Sequence, residues 1–220
     1  MSLRTLAALL ALIGIAACGG STPAQPANGP TAANVAVQAG DLPSGVVKCD
    51  LTGDIDKYIT AEESTDPKTA KATKADWDEA QKNGANAAYV SLFSDSTAQC
   101  AVLKKASTDI TATTHPLVVN FVIQFKDEKS AAKGYSSPKK IFGFSAADLR
   151  ESNKISGQPV VEGTKTGLSD NSIVLSTTVS NQSFYIAVWQ NKTFMVFLAI
   201  LNMDPAASKK AATAENSRIK

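Results

Sequence analysis

The chain has 220 residues, 44% of them hydrophobic, with 22 basic against 20 acidic side chains and a formal charge of +2. That length suits one ordinary domain with room for a leader. The near-neutral balance gives no electrostatic footprint for nucleic acid, and one histidine with three cysteines makes a poor ligand set for zinc.

In chain order the first feature is Arg4, followed by an apolar run from Leu6 to Ala17. A basic start, a short apolar core and small residues before a cut describe an export signal over residues 1–17. The run is shorter than the roughly 20 apolar residues that span a bilayer. Further on, the densest apolar stretch, 184–201, is broken by Gln190, Asn191, Lys192 and Thr193. The tetrapeptide Ile15-Ala16-Ala17-Cys18 resembles the lipobox of bacterial lipoproteins. In that family the cysteine is acylated and becomes the first mature residue. The resemblance therefore implies lipid attachment at Cys18 and an exported protein held on the extracytoplasmic face of the membrane. A single acyl chain anchors marginally, and the diacylglyceryl group that the lipobox implies supplies more.

Residues 18–40 then read as the lipidated cysteine and a flexible tether, uncharged and rich in Pro, Gly and Ala. A single globular domain is expected over 41–220. With Cys18 assigned to lipid, Cys49 and Cys100 remain as an even pair in an oxidising compartment. A disulfide is expected; two buried free thiols are the alternative.

A short helix is expected over 54–59, where Ile55, Tyr58 and Ile59 share a face. A second is expected over 73–83, with Thr73 and Asp76 at capping-box spacing and Asn83-Gly84 as the stop. Residues 87–93 read as a strand. Over 115–125 the period becomes two: Leu117, Val119, Phe121, Ile123 and Phe125 form one apolar face, and Val118, Asn120, Val122 and Gln124 the other. Asp127 caps a short helix. Residues 136–170, rich in Ser, Gly and Lys, show no clear period.

Three strands follow, 173–179, 184–190 and 193–202, joined by short polar turns and so antiparallel. The last is apolar on both faces and is expected at the centre of the sheet. Asp204-Pro205 opens an Ala-rich helix, with Arg218 and Lys220 at its C-terminal end suiting the dipole. The expected class is α+β: an antiparallel sheet of about five strands with helices packed against it, ending in a β-meander and a helix. In element order this resembles the PsbP-like fold, which also occurs in actinobacterial lipoproteins and in sensor domains of bacterial receptor kinases. No motif accompanies that likeness, so it transfers no functional residue.

Three fragments match β-lactamase signatures: Ser130-Ala131-Ala132-Lys133, Lys165-Thr166-Gly167 and Ser169-Asp170-Asn171. Their order is inverted, and Leu168 alone separates the last two, so they cannot flank a bound acyl group from separate elements. Gly143-Phe144-Ser145-Ala146-Ala147 lacks the final glycine of a nucleophile elbow, and His115 precedes the serine where that fold places its histidine after it. His115-Pro116 reads as a strand entry. Asp50, Asp54 and Asp56 do not have the spacing of a calcium loop, and Asp54 reads as a helix cap. No catalytic set, metal site or cofactor is expected.

Trp77, Tyr89, Phe121, Phe125, Tyr185 and Trp189 could line an apolar pocket or form an ordinary core. The function expected is a membrane-anchored, non-enzymatic binding or sensing module for a small apolar ligand or a partner protein. The alternative is a structural or interaction lipoprotein of the envelope without ligand. A hydrolase with an unrecognised site ranks third. A ligand-sized cavity would favour the first reading, and an exposed apolar patch over a filled core the second.

Overall fold

The computed structural model describes residues 29–103, 114–156 and 159–220, with backbone alone over 152–156. The expected export signal and Cys18 lie outside the described residues. Among those described, no helix is long and apolar enough to cross a membrane.

The chain is organised around its most apolar strand, β8 (Phe194–Leu201), every residue of which is buried. Its two faces feed two separate cores: Met195, Phe197, Ala199 and Leu201 pack on one side, and Phe194, Val196, Leu198 and Ile200 on the other. A strand apolar on both faces needs cover on both, and here it has neighbours on both edges too. β8 pairs antiparallel with β4 (Leu117–Phe125) and β7 (Gln182–Asn191). The sheet continues from β7 through β6 (Asn171–Val179) to β5 (Val160–Glu162). It continues from β4 to β3 (Ala85–Ser94), which pairs with β1 (Val47–Lys48) and β2 (Gly53–Asp54). The order β1-β3-β4-β8-β7-β6-β5 puts β8 in the middle, as its composition requires.

The sheet is wider than the five strands expected. Among the described residues it has eight, and β1, β2 and β5 are two or three residues long. Strands that short carry no readable alternation. The meander turns are also tighter than expected. Ser180 and Asn181 take φ of 49° and 67° between Val179 and its partner Gln182, the mirror-image turn that suits the twist of a hairpin.

The front of the sheet is covered by α2 (Ile55–Glu63), α3 (Pro67–Lys82), α4 (Thr97–Leu103), α5 (Glu128–Ser136) and α6 (Ala146–Ser156). Helix α3 starts six residues before the expected 73. Asp66 is its N-cap, accepting from the Thr69 N–H at 3.1 Å, and Pro67 is its first residue. Thr73 is thus mid-helix rather than a cap. Asp54 sits at the N-cap position of α2, but its side chain makes no capping hydrogen bond. Asp127 does cap α5, accepting from Ser130 N–H at 2.7 Å.

The back is covered by α7 (Pro205–Ser217) and by a segment expected to be tether. Residues 31–41 fold onto the sheet: Ala32–Val35 is a short helix α1, and Val35, Ala36 and Val37 are at most 1% exposed. Val37 N–H donates to Asn120 Oδ1 at 3.0 Å. Among the described residues, the folded part therefore includes residues from 31 on, ten residues before the expected start. Small uncharged residues looked like linker, yet they are what a closely approached sheet face accepts.

Cys49 and Cys100 form a disulfide, with Cα atoms 5.3 Å apart and a sequence separation of 51. It ties α4 to the segment between β1 and β2, as the cysteine arithmetic anticipated.

Candidate functional site

Between α2, α3 and the front of the sheet lies a partly open cleft enclosing about 140 Å³. Its floor is Leu92, Val119 and Phe121, side chains that alternation on β3 and β4 turns to the front. Leu51 and Leu103 flank it, each within three residues of a disulfide cysteine.

Helices α2 and α3 supply the polar wall. Tyr58 and Glu62 stand one helical turn apart, and Tyr58 Oη–H donates to Glu62 Oε1 at 2.6 Å. Thr73 Oγ1–H donates to Glu62 Oε2 at 3.3 Å. Glu62 is 2% exposed. Burial pushes its carboxyl above the ordinary carboxylate value, against the two hydrogen bonds, which pull it down. Burial and the Glu62 charge push the Tyr58 hydroxyl upward as well. Thr69 closes this wall, its hydroxyl donating to Asp66 Oδ2 at 2.7 Å.

The opposite wall is a tight turn over 141–144. Ile141 and Phe144 exchange backbone hydrogen bonds at 2.9 and 3.2 Å. Phe142 and Gly143 between them take φ of 54° and 82°, again the mirror-image hairpin geometry. Asp76 on α3 holds this turn, accepting the Gly143 N–H at 3.2 Å. Burial raises the Asp76 carboxyl, opposed by hydrogen bonds from the Gly143 and Phe142 backbone. The turn drives two rings into the cleft. Phe142 stacks on Phe121 with centroids 4.7 Å apart, and Phe144 stacks on Phe197 at 3.7 Å.

A second hollow, of about 280 Å³ beside α3 and α5, is rimmed by Lys133, Lys139 and Lys140. Lys139 pairs with Glu79 at 2.9 Å and Lys140 with Asp148 at 3.4 Å, so two of the three rim charges are already paired, while Lys133 donates to Asn83 Oδ1 at 3.4 Å. The aromatic cleft is the better candidate.

The six aromatics singled out from the sequence divide between the two faces. Trp77, Phe121 and Phe125 belong to the front core; Tyr89, Tyr185 and Trp189 pack at the back. Of these, Phe121 lines the cleft. Phe142 and Phe144, which complete it, lie in the stretch that showed no period. The available signal was Ile141-Phe142-Gly143-Phe144, a glycine at a hairpin position between apolar residues.

The serines of the signature-like fragments and His115 have structural hydrogen bonds. The Ser130 N–H and hydroxyl both bond the Asp127 carboxylate at the start of α5. Ser169 Oγ donates to the backbone carbonyl of Gln190 at 2.8 Å, with that of Asn171 within reach at 3.1 Å. Ser145 caps α6, its Oγ accepting from Asp148 N–H and donating to Asp148 Oδ2. The His115 ring lies 2.7 Å from Asp95 Oδ2 and 3.0 Å from Gln99 Nε2, at the entry to β4. Among the described residues, no group of three or more His, Cys, Asp or Glu side chains is placed to hold a metal.

No family model matches the chain, and no curated protein matches it. Among solved structures, the extracellular domain of PknH from Mycobacterium tuberculosis is similar at a TM-score of 0.36 and 10% identity, over 61% of this chain and 64% of that one. This chain thus spans just under two thirds of that domain. A superposition of that extent transfers neither function nor residues.

Proposed function

We propose that this protein is an exported, lipid-anchored module of the bacterial cell envelope that binds a small apolar ligand in the aromatic cleft and carries out no chemistry on it. The observation that carries the reading is the cleft itself: about 140 Å³ between Tyr58, Phe121, Phe142 and Phe144, over a floor of Leu92 and Val119. Ligand sites are typically apolar concavities with a few placed polar groups. The volume is below the roughly 300–1,000 Å³ of a site that engulfs a drug-sized ligand. It suits one ring, or the end of a longer apolar chain. The leader, the Ile15-Ala16-Ala17-Cys18 tetrapeptide and the Cys49–Cys100 disulfide support export.

Two measurements test this. Intact-mass analysis of the membrane fraction should find lipid on Cys18, and Cys18→Ser should abolish it; unlipidated wild-type protein there would remove the anchor. Titration with toluene should shift the methyl resonances of Leu51, Leu92 and Val119. Shifts scattered elsewhere, or none, would remove the binding site.

A further inference from the structure

We infer that the cleft selects apolar ligands bearing a neutral hydrogen-bond donor, such as a phenolic or alcoholic hydroxyl. The inference rests on reading the cleft as a binding site and concerns what that site recognises. Among the described residues lining the cavity, Tyr58, Thr69 and Thr73 are the side chains with polar groups, and all three are hydroxyls. A hydroxyl has one hydrogen to give and two lone pairs to accept with. Here each hydrogen already points at a carboxylate: Tyr58 to Glu62 Oε1, Thr73 to Glu62 Oε2 and Thr69 to Asp66 Oδ2. What remains for a ligand at all three is oxygen lone pairs. The polar side-chain surface of the cavity accepts and does not donate.

That asymmetry discriminates between head groups. An ether, ester or ketone would set its own lone pairs against those of the wall, giving up hydrogen bonds to water without replacement. A carboxylate would meet the same lone pairs with Glu62 and Asp66 behind them. An ammonium would leave water for a largely apolar cavity, at a desolvation cost that hydroxyl oxygens do not repay. Glu62 and Asp66 are not among the residues that line the cavity, so an ammonium there would meet neither carboxylate directly. A neutral O–H or N–H finds an acceptor and carries little such penalty. The volume of about 140 Å³ is close to that of an apolar cavity that takes benzene, roughly 150 Å³. A single ring with one hydroxyl therefore fits, against aromatic walls suited to stacking or edge contacts.

The test is a methyl-NMR titration of the full chain with three ring probes of similar shape, at matched free concentrations. The probes are para-cresol, a donor; para-methylanisole, an acceptor; and toluene, which is neither. Para-cresol should bind about tenfold more tightly than either other probe, the worth of one hydrogen bond to an unfilled acceptor. Toluene or para-methylanisole binding as tightly as para-cresol would overturn the donor selectivity and leave the cleft standing as a plain apolar site. No response to any probe would remove the binding reading along with it. Tyr58→Phe, Thr69→Val and Thr73→Val each delete one acceptor. At least one should reduce the para-cresol preference to about twofold or less while toluene binding persists and resonances outside the cleft stay in place. A preference that survives all three would show that these hydroxyls are not the acceptors, and the proposal would fall.

Discussion

The Arg218 guanidinium clasps Asp41 across the back of the molecule, Nη1 to Oδ1 at 3.0 Å and Nη2 to Oδ2 at 2.8 Å. The same group donates to the carbonyls of Val35 and Ala36, both at 3.0 Å. One side chain at the end of α7 thus fastens the segment through which the expected anchor joins the domain. The bidentate fork is what arginine supplies and lysine cannot. The pair is largely buried, at 26% and 11% side-chain exposure. Arg218→Met should cost about 2 kcal/mol, because it leaves Asp41 and two carbonyls short of partners. It should also open residues 31–41 to protease. Unchanged urea midpoint and cleavage pattern would show that the clasp contributes nothing.

Beside it, Glu215 is fully buried, with Asn120 Nδ2 donating to Oε1 at 2.9 Å and no hydrogen-bond partner for Oε2 among the described residues. Burial pushes its carboxyl well above the ordinary 4.5; the Asn120 hydrogen bond and the Arg218 charge pull it down, and Asp41 adds to the rise. Burial raises the hydroxyl of neighbouring Tyr185 to about 12, and the Glu215 charge adds to that rise. The folded state holds a proton on Glu215 that the unfolded chain releases above about pH 4.5. This contribution to stability is fully present below that pH and is lost as pH rises toward the folded value. Glu62 and Asp76 act with the same sign. Glu79, Asp95 and Asp127, lowered by hydrogen bonds, act oppositely at lower pH. Glu215→Gln should therefore lose less stability than wild type between about pH 5 and 7. Urea unfolding at both pH values measures it, and parallel behaviour of the two proteins would rule it out.

The disulfide bears on the cleft as well as on stability. Leu51 and Leu103 stand close in sequence to Cys49 and Cys100, and both flank the cavity. Closing a loop across a separation of 51 residues is worth up to about 4 kcal/mol in the chain-entropy model, and about 2–4 in practice. Replacing both cysteines by alanine should lower stability by that amount and weaken toluene binding. Toluene affinity equal to wild type in the folded variant would show that the bridge does not hold the cavity wall.

Phe197, 5% exposed at the centre of β8, lies face to face with Phe144 at 3.7 Å. Phe197→Ala should cost about 3–5 kcal/mol. Phe144→Ala, on the half-buried turn, should cost less. A double-mutant cycle should give a coupling of about 0.5–1.5 kcal/mol from the stacked rings. Phe197→Asp should prevent folding, since it places an unpaired charge in the core. A folded Phe197→Asp protein by circular dichroism would contradict the packing described here.

Patterns within one element were legible without coordinates. The unbroken apolar face of 117–125 at period two and the two-sided apolarity of 194–200 were enough to expect β4 and a central β8. Asp204-Pro205 marked α7, and the same signal at Asp66-Pro67 marks the start of α3, where the capping-box spacing of Thr73 and Asp76 pointed six residues too late. Side-chain period and cap chemistry are local properties, so one sequence reports them. The pairing of Cys49 with Cys100 was expected once the lipobox resemblance had set Cys18 aside.

Tertiary structure alone decided the rest, because it depends on which surfaces meet. Residues 31–40 have the composition of a linker, yet Ala32, Val35, Ala36 and Val37 among them are core, with Asn120 and Arg218 satisfying the backbone of the last three. β1, β2 and β5 are strands because longer neighbours lend them hydrogen bonds, not because two or three residues prefer to be extended. The cleft joins Leu51, Tyr58, Phe121 and Phe142 from four separate parts of the chain. A cavity is a shape left between elements, and no local pattern encodes it. Two of its three hydroxyl contacts are local, Tyr58 to Glu62 along α2 and Thr69 to Asp66 at the N-cap of α3; the third, Thr73 to Glu62, exists only once α2 and α3 have packed together.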